Sequence, residues 1–310
     1  MLHREKAMLL AIRVEVDSLA AARDALPPFL DALTRLNASA SFFINIGPDY
    51  AGKTRSKLFR IGENKQQVRN NLSLAGPHGL ARLYGYLLPA PQLVSKAASQ
   101  LLAIKTAGFE TGLLAWDRVK WVQGIANADE AWVHTELQAG CDAIESLFGE
   151  RPQGLALPRW GSSRVAMRLA QRLGFVYLSA SRGTHPYLAV TDGEPVNLPQ
   201  LPTSLPTLSE LIGLAGRDEQ GAADYLLHLT ANIPPIGHVF NISLSADGGK
   251  RLPLLQQLFT AWREQGYELA SLQQLHQHTH NHILPWHSTQ QQSWPAYQGL
   301  LTTQGPAFPG

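Results

Sequence analysis

The sequence predicts an α/β fold built around a largely parallel sheet. Apolar runs of strand length alternate with amphipathic stretches of helix length along most of the 310 residues, and this alternation is typical of repeated parallel β–α units. Hydrophobic residues make up 45% of the chain, which is ample for a sizeable core. A length of 310 residues exceeds that of an average domain, but a single α/β barrel commonly reaches it.

The predicted elements follow one another in a regular order. Leu9–Val16 is predicted to be a buried strand, and Pro27-Pro28 opens a helix to about Leu36, because proline suits a first helical turn. Ala40–Ile46 is the second predicted strand. Further strands are predicted at Leu155–Leu157, Phe175–Leu178 and His238–Leu244, and helices at Ala128–Phe148 and at about 162–173, 218–231 and 251–265.

Two carboxylates end the first predicted strand. Glu15 and Asp17 are two residues apart, so an extended strand presents both on the same side. Metal-dependent hydrolysis needs a base and a metal ligand side by side, and this spacing supplies them. The expected complement is a pair of neutral imidazoles four residues apart on one helical face. The segment Leu113–Arg118 is the candidate for that second half of the site.

This second segment lacks the imidazoles. Its positions 114 and 118 are Leu114 and Arg118. Leucine has no lone pair to donate, and arginine stays protonated and cannot ligate a cation. The frame of a metal-dependent hydrolase is therefore recognisable, whereas the groups that would hold the metal are missing.

Six short stretches occur in a fixed order along the chain. They are Leu10–Asp17, Ala40–Phe43 with Gly47–Asp49, Leu83–Gly85, Glu110–Asp117, Ser181–Gly183 and Leu205–Gly213. Together they resemble the polysaccharide deacetylase (NodB-homology) family, and within it the branch that removes formyl groups from a lipid-linked amino sugar. The resemblance implies a distorted (β/α) barrel of the NodB type, with its site at the carboxyl ends of the strands. We expect this domain to span residues 1–282, with an insertion at about 48–108.

The resemblance also identifies what this chain has lost. The family's catalytic Asp is Glu15 here, its two metal-binding histidines are Leu114 and Arg118, and its catalytic His is replaced by Ser243 after the last motif strand. Only Asp17 keeps its ligand identity. The family uses a divalent metal such as zinc, and three protein ligands are the usual minimum at a catalytic zinc. We therefore expect no metal cofactor in this chain.

The resemblance gives a set of candidate site residues. Glu15 is the remaining candidate for a catalytic base. The other expected cleft residues are Asp17, Leu114, Trp116, Asp117, Arg118, Arg159, Arg182 and Ser243. Carboxylates left without a metal need another partner. Arg118 is therefore expected either to pair with Asp17 or Glu15, taking over the metal's electrostatic role, or to extend into solvent.

Three functions are compatible with these observations. The first is a catalytically inactive family member that keeps its cleft to bind a lipid-linked sugar phosphate or an active homologous deacetylase, with a link to lipid A modification. The second is an active amidohydrolase that removes formyl or acetyl groups from an amino sugar by an altered mechanism. The third is an interaction protein that acts through its C-terminal tail.

Composition restricts the partners. Lys plus Arg total 26 against 24 acidic residues, which does not suggest a nucleic-acid binder. Cys141 is the single cysteine, so no internal disulfide can form. No apolar run reaches the ~18–20 residues of a membrane span, and the N-terminus shows no cleavage site. We expect a cytoplasmic protein. The basic run Lys53–Arg69 is either a solvated helix face or a segment that contacts phosphates or the inner membrane peripherally. An oligomer is possible.

The C-terminal segment differs from the rest of the chain. Ile283–Gly310 contains no Asp, Glu, Lys or Arg and is rich in Gln, Pro and aromatic residues. It cannot form a core of its own, so we expect it to be disordered or to lie over another surface. Just before it, histidines occupy every second position, where we expect no specific metal site; they are His276, His278, His280 and His282.

Overall fold

A computed structural model describes residues 8–50, 52–53, 83–85, 87–213, 216–232, 234, 236–294 and 300–309. The strands are β1 Met8–Val16, β2 Ser41–Asn45, β3 Glu110–Ala115, β4 Gly154–Ala156, β5 Tyr177–Ser179, β6 Tyr187–Thr191, β7 Glu194–Gln200, β8 His238–Ser243, β9 Tyr267–Ala270, β10 Trp286–Ser293 and β11 Leu300–Ala307. The helices are α1 Leu26–Arg35, α2 Leu93–Thr106, α3 Arg118–Gly124, α4 Glu130–Phe148, α5 Arg164–Arg172, α6 Leu208–Gly213, α7 Glu219–Thr230, α8 Leu244–Asp247, α9 Leu252–Glu264 and α10 Leu272–Thr279. Short π- and 3₁₀-helical segments are Ala21–Ala25, Ile125–Asn127 and Pro158–Trp160.

All of these strands belong to one sheet. Their order is β11-β10-β6-β7-β5-β4-β3-β2-β1-β8, and β9 also pairs with β1. The pairings are parallel except in two hairpins, β6–β7 and β10–β11, which are antiparallel. The predicted α/β fold with a mainly parallel sheet is confirmed. Among the described residues the sheet does not close on itself, since β8 pairs only with β1.

Side chains along β1 alternate between the two sides of the sheet. Leu10, Ile12 and Val14 are fully buried and enter the larger apolar core. Leu9 and Ala11 point the other way, into a second and smaller apolar cluster. This period of two is the ordinary consequence of a pleated strand, and it decides which side of the sheet receives the polar residues that follow.

The C-terminal segment is part of the sheet. β10 pairs in parallel with β6 through Trp286–Ser288, and β11 pairs with β10. The backbone N–H of Arg182 donates to the carbonyl of Thr302 at 2.9 Å, so β11 also contacts the segment before β6. We expected this segment to be disordered or to lie over another surface. Its described residues pair with the sheet, so the second expectation is the correct one.

The region before β3 is partly described. Leu93, Leu101 and Ile104 of α2 are buried in the larger core, so the second half of the predicted insertion serves ordinary packing. Leu87 is 70% exposed. The basic run Lys53–Arg69 lies outside the described residues apart from Lys53. Within the described part of the chain, no helix is long and apolar enough to cross a bilayer.

Candidate functional site

The site begins on β1, on the side of the sheet that holds the smaller apolar cluster. Arg13 is fully buried there, and its Nη1 lies 2.7 Å from Oε1 of Glu15. The same nitrogen donates to the side-chain oxygen of Asn241 on β8, and Nη2 donates to the carbonyl of Leu157 at 3.4 Å. Burial raises the pKa of Glu15 above its usual range, and the Arg13 charge offsets part of that rise. Glu15 is therefore a carboxylate already paired by its own strand.

Asp17 follows β1 directly and has several donors around it. It is fully buried, and its Oδ2 accepts hydrogen bonds from the hydroxyls of Ser243 at 2.8 Å and Ser245 at 2.6 Å. Its Oδ1 accepts from the Ser245 backbone N–H at 3.2 Å. The Arg118 guanidinium lies 3.6 Å from Oδ2 and is only 7% exposed. The predicted pairing of Arg118 with a site carboxylate is confirmed, and its partner is Asp17.

The strand-to-helix turn after β3 aims Arg118 at this carboxylate. Asp117 caps α3, since its side chain accepts from the backbone N–H groups of Val119 and Lys120, both at 3.0 Å. The Arg118 backbone N–H donates to Oδ1 of Asn45 at 2.8 Å. Asp117 is thus a helix cap, and the first residue of the capped helix carries the cation of the site.

The expected helical relation between positions 114 and 118 is wrong. Leu114 lies in β3 and Arg118 begins α3, so the chain changes from strand to helix between them and the i, i+4 geometry does not apply. Leu114 is fully buried in the smaller apolar cluster with Phe43 and Tyr177. It contributes to packing and is not on the surface of the cleft described next.

A shallow cleft, open to solvent, lies over these ion pairs, and its cavity volume is about 30 Å³. Four predicted residues line it, namely Glu15, Arg118, Arg159 and Ser243. Asp17 lies beneath it, fully buried. The remaining walls come mainly from Trp160, Thr207, Ser209, Asn241 and Asp247.

Two other predicted residues lie outside the cleft lining. Trp116 packs against Gly47, where an added Cβ would lie 2.4 Å from the Trp116 carbonyl oxygen; only glycine permits this approach. Arg182 is 7% exposed in side chain and lies behind the cleft wall, with its guanidinium 4.7 Å from the Trp160 ring centroid and 5.4 Å from that of Trp294. Both residues were predicted to line the cleft. Instead, Trp116 packs against Gly47, and Arg182 packs behind the cleft wall.

Trp160 forms that wall through an unusual backbone. Arg159 and Trp160 have φ values of 54° and 51°, a left-handed conformation that costs roughly 1–2 kcal/mol for each non-glycine residue. The Trp160 indole N–H donates to the Thr203 hydroxyl at 2.9 Å. Its ring also lies 5.6 Å from the Arg13 guanidinium carbon. The turn therefore holds an aromatic face between two buried arginines.

Asp247 adds a second acidic group to the cleft. It is 2% exposed and accepts from the Arg251 guanidinium at 3.0 Å and from the Ser243 backbone N–H at 3.3 Å. Burial raises the pKa of Asp247 to about 6, despite the opposing charge of Arg251. This carboxyl therefore takes up a proton in the mildly acidic range.

Comparison with known proteins places the chain. No family model matches it. It is 30% identical over 272 residues to a probable 4-deoxy-4-formamido-L-arabinose-phosphoundecaprenol deformylase of Shewanella sediminis, covering 86% of this chain and 85% of that protein. The chain belongs to the polysaccharide deacetylase family. A second curated relative of the same description, from Wigglesworthia glossinidia brevipalpis, is 26% identical over 201 residues, with 61% of this chain and 65% of that protein covered.

Solved structures of polysaccharide deacetylases share the fold. A family protein from Mycobacterium smegmatis superposes with a TM-score of 0.63 at 16% identity, over 95% of this chain and 98% of that one. A probable deacetylase from Pseudomonas aeruginosa gives 0.59 at 13% identity, over 89% and 92% of the two chains. A CE4 pseudoenzyme from Bacillus anthracis gives 0.52 at 12% identity, over 87% and 66%.

The family's divalent metal does not fit the residues of this member of the polysaccharide deacetylase family. A guanidinium already lies 3.6 Å from Asp17, and both oxygens of that carboxylate accept hydrogen bonds from serines. Leu114 offers no donor atom. Among the residues that the structure describes, no three His, Cys, Asp or Glu side chains converge to hold an ion. The donor set is therefore short of the three protein ligands of a catalytic zinc.

Sequence reasoning missed several residues of this site. Arg13 was detectable, because it precedes Glu15 by two residues and so shares its side of β1. No such signal marked Asn241 on β8, or Ser245 and Asp247 in the short helix α8 that follows it. They reach the site because β8 pairs in parallel with β1, with Ser243 opposite Glu15, and that register is a tertiary property.

Proposed function

We propose that this protein is a non-hydrolytic member of the polysaccharide deacetylase family whose cleft binds a sugar phosphate. The observation that carries the proposal is the buried ion pair between Arg118 and Asp17. A metal in such a site would lower the pKa of a bound water and stabilise the oxyanion. A guanidinium has a fixed charge and no open coordination position, so it cannot bind a water molecule and lower its pKa as a metal does.

The other groups of the cleft do not replace that chemistry. Glu15 is held by Arg13 at 2.7 Å, and Ser243 donates its hydroxyl to Asp17. A serine hydroxyl does not protonate a leaving amine near neutral pH. The active amidohydrolase with an altered mechanism is therefore the weaker of the two enzyme-related hypotheses.

Binding remains well supported by the same walls. Hydroxyl and amide groups of Thr207, Ser209 and Asn241 surround the cleft beside the Trp160 ring, a mixture of an aromatic face and a few polar groups that suits a small polar ligand. Arg118 and Arg159 supply guanidinium groups, which recognise phosphate. The curated relative is described as acting on a sugar phosphate carried by a lipid. We extend that ligand class, and a link to lipid A modification, to this chain.

Loss of hydrolysis has a parallel within the fold. The superposed Bacillus anthracis protein is described as a CE4 family pseudoenzyme, and a mutant of it as having restored enzymatic activity. Such proteins support the view that this fold persists without its reaction. For the present chain, an active homologous deacetylase as a protein partner is the alternative use of the cleft.

The experiment uses tag-free protein and separates binding from turnover. Isothermal titration with pentose and amino-sugar 1-phosphates should give saturable binding that Arg159→Gln weakens at least tenfold. Arg35→Gln is the matched control, since Arg35 is exposed on α1. Release of formate or acetate from formylated and acetylated amino sugars should stay at the background of buffer, with or without added zinc. Turnover that disappears in Glu15→Gln would contradict the proposal, and binding of a homologous deacetylase but of no sugar phosphate would favour the protein partner.

A further inference from the structure

A groove with a cavity of about 590 Å³ lies next to the cleft, between α3 and the C-terminal hairpin. Val122, Pro158 and Arg159 line both spaces. Sites for small organic ligands enclose roughly 300–1,000 Å³, and the groove lies within that range. The cavity of the cleft is about 30 Å³, which is room for roughly two water molecules. The cleft can therefore hold a small charged group, whereas the bulk of a larger ligand has to lie in the adjoining space.

The groove offers uncharged polar groups and aliphatic surface together. Gln123, Gln291, Ser163 and Thr289 contribute amides and hydroxyls to its lining, and Ile125 and Leu300 contribute aliphatic surface. Leu300 is 60% exposed, so apolar surface is open to a ligand there. A sugar ring carries hydroxyls around its rim and C–H groups on its faces. Such a ring can form hydrogen bonds with the first set of side chains while it packs against the second.

The charged groups of the groove favour a ligand whose charge lies at the cleft end. Among the described lining residues these groups are Arg159, Arg164 and Asp192. Arg164 is already paired, since its Nη1 lies 2.6 Å from Oε1 of Glu194 and its Nε lies 3.9 Å from Oδ2 of Asp192. Arg159 is the residue that the groove shares with the cleft. The rest of the groove therefore suits a neutral group.

A buried hydroxyl in the groove lining indicates a polar occupant. Ser162 is 5% exposed, and its side-chain oxygen makes no hydrogen bond within the part of the chain that the structure describes. The C-terminal hairpin holds the backbone of this residue. The Ser162 N–H donates to the Thr302 hydroxyl at 3.2 Å, and its carbonyl accepts from the Gln291 amide at 3.0 Å. Buried polar groups are generally paired with protein, water or ligand, so a hydroxyl-bearing molecule in the groove would satisfy Ser162.

We propose that the groove is a carbohydrate site that binds the sugar portion of the ligand whose phosphate lies in the cleft. Its volume accommodates a substituted sugar or a short oligosaccharide. The phosphate half of this assignment rests on the proposed function, whereas the sugar half rests on the lining of the groove. The C-terminal hairpin then builds the site, because β10 and β11 supply Thr289, Gln291 and Leu300. An isoprenoid chain is the less favoured occupant, since it would cover amides and hydroxyls without pairing them.

Three probes separate the two spaces in the full chain with ¹³C-labelled Leu, Val and Ile methyl groups. Inorganic phosphate should leave the methyl resonances of Leu300 and Ile125 in place. Methyl L-arabinoside at millimolar concentration should shift them. L-arabinose 1-phosphate, which carries the pentose of the curated relative's description, should shift them and bind at least about tenfold more tightly than either other probe. The reason is that one molecule then contacts the groove and the cleft together.

A variant that fills the groove tests the same assignment by affinity. Ala126 is exposed and lines the groove, so Ala126→Trp should weaken L-arabinose 1-phosphate binding to the affinity of inorganic phosphate. Ala131→Trp is the matched control, because Ala131 is exposed on α4 and does not line the groove. It should bind L-arabinose 1-phosphate like wild type.

The outcomes distinguish this inference from the proposed function. Groove methyl groups that respond to neither sugar would overturn the carbohydrate site, and L-arabinose 1-phosphate binding that Arg159→Gln still weakens would leave the proposed function intact. A response to methyl L-arabinoside without any gain from the phosphate would support the groove and contradict the proposed function. Farnesyl phosphate is the fourth probe. If it shifts the Leu300 and Ile125 methyl groups and neither sugar does, the groove binds an isoprenoid chain and the carbohydrate assignment is wrong.

Discussion

The Arg118 guanidinium lies 3.6 Å from the Asp17 carboxylate, and the Ser243 and Ser245 hydroxyls contact the same carboxylate oxygen. Asp17 is fully buried, so without these partners its charge would be costly. The position where the sequence resemblance leads us to expect a metal-binding histidine thus supplies a permanent positive charge. The buried carboxylate has a counter-charge from a side chain of the protein.

Removal of Arg118 should destabilise the protein more than removal of an exposed arginine. Arg118→Ala leaves a buried carboxylate uncompensated, which costs on the order of 3–5 kcal/mol. Arg35→Ala, on the exposed face of α1, should stay within about 0.5 kcal/mol of wild type. The double change Asp17→Ala with Arg118→Ala should cost less than the sum of the single changes, because the unpaired charge disappears. Urea unfolding compares wild type with the three single variants, Arg118→Ala, Asp17→Ala and Arg35→Ala, and with the double variant. Additive losses would mean that Asp17 and Arg118 do not interact.

Asp247 should make stability fall as pH rises from about 4 to about 6. Its folded-state pKa of about 6 exceeds its ordinary 3.8, so the folded state holds the proton more tightly across this window. The stabilisation that protonated Asp247 contributes is fully present below pH 4, and it is lost once the pH has risen above 6. Relative to wild type, Asp247→Asn should therefore gain about 2–3 kcal/mol in unfolding free energy between pH 4 and pH 7. Glu15 is present in both proteins and cancels in the difference.

Asp31→Asn provides the control for that measurement. Asp31 is exposed on α1, so the stability difference between this variant and wild type should not change over the same pH range. A flat difference for Asp247→Asn as well would show that this carboxyl is hydrated in solution and keeps its ordinary pKa.

The parallel part of the fold was predictable because its strands are buried on both sides. Such strands are continuous apolar runs bounded by turn residues, and His238–Leu244 was predicted where β8 spans His238–Ser243. The β10 strand gave no such signal, since its sequence WHSTQQQS has neither an apolar run nor alternation. It pairs with β6 through backbone hydrogen bonds that composition does not reveal.

Only the site residues that lie on or next to a single strand could be predicted from the sequence. Glu15 and Asp17 are local to β1, and the need of a buried carboxylate for a partner led to Arg118. The helical spacing assumed for Leu114 failed because a cap at Asp117 starts α3 only after β3 has ended. The serines on Asp17 could not be foreseen, since their approach depends on the pairing of β8 with β1.

Restoration of two imidazoles should restore metal binding only when Arg118 is removed. Leu114→His with Arg118→His frees Asp17 from its cation and supplies two neutral ligands, so the double variant should take up about one zinc per chain. Leu114→His alone keeps the guanidinium 3.6 Å from Asp17 and should bind no zinc in the cleft. It should also lose about 1–3 kcal/mol, because an imidazole enters an apolar cluster.

Elemental analysis of these variants is compared with that of wild type, so that zinc bound outside the cleft is subtracted. Zinc uptake by Leu114→His alone would show that Arg118 does not exclude the metal. A double variant that folds normally but binds no zinc would mean that the backbone no longer places positions 114 and 118 close enough to Asp17 to share a metal ion.

Substitution of two adjacent leucines of β11 should have different effects on stability, because one lies on the packed face of the C-terminal hairpin and the other on its exposed face. Leu301 is 1% exposed and packs with Trp160 and Trp294, whereas Leu300 is 60% exposed. Leu301→Ala should cost about 2–5 kcal/mol, because it opens a cavity beside the aromatic wall of the cleft. Leu300→Ala should stay within about 0.5 kcal/mol of wild type. Both values come from chemical unfolding, and Leu301→Ala should in addition weaken sugar-phosphate binding, since Trp160 forms part of the cleft. Equal, small effects of the two changes would mean that the hairpin packs loosely on the sheet and that the tail is free to act as a separate interaction element.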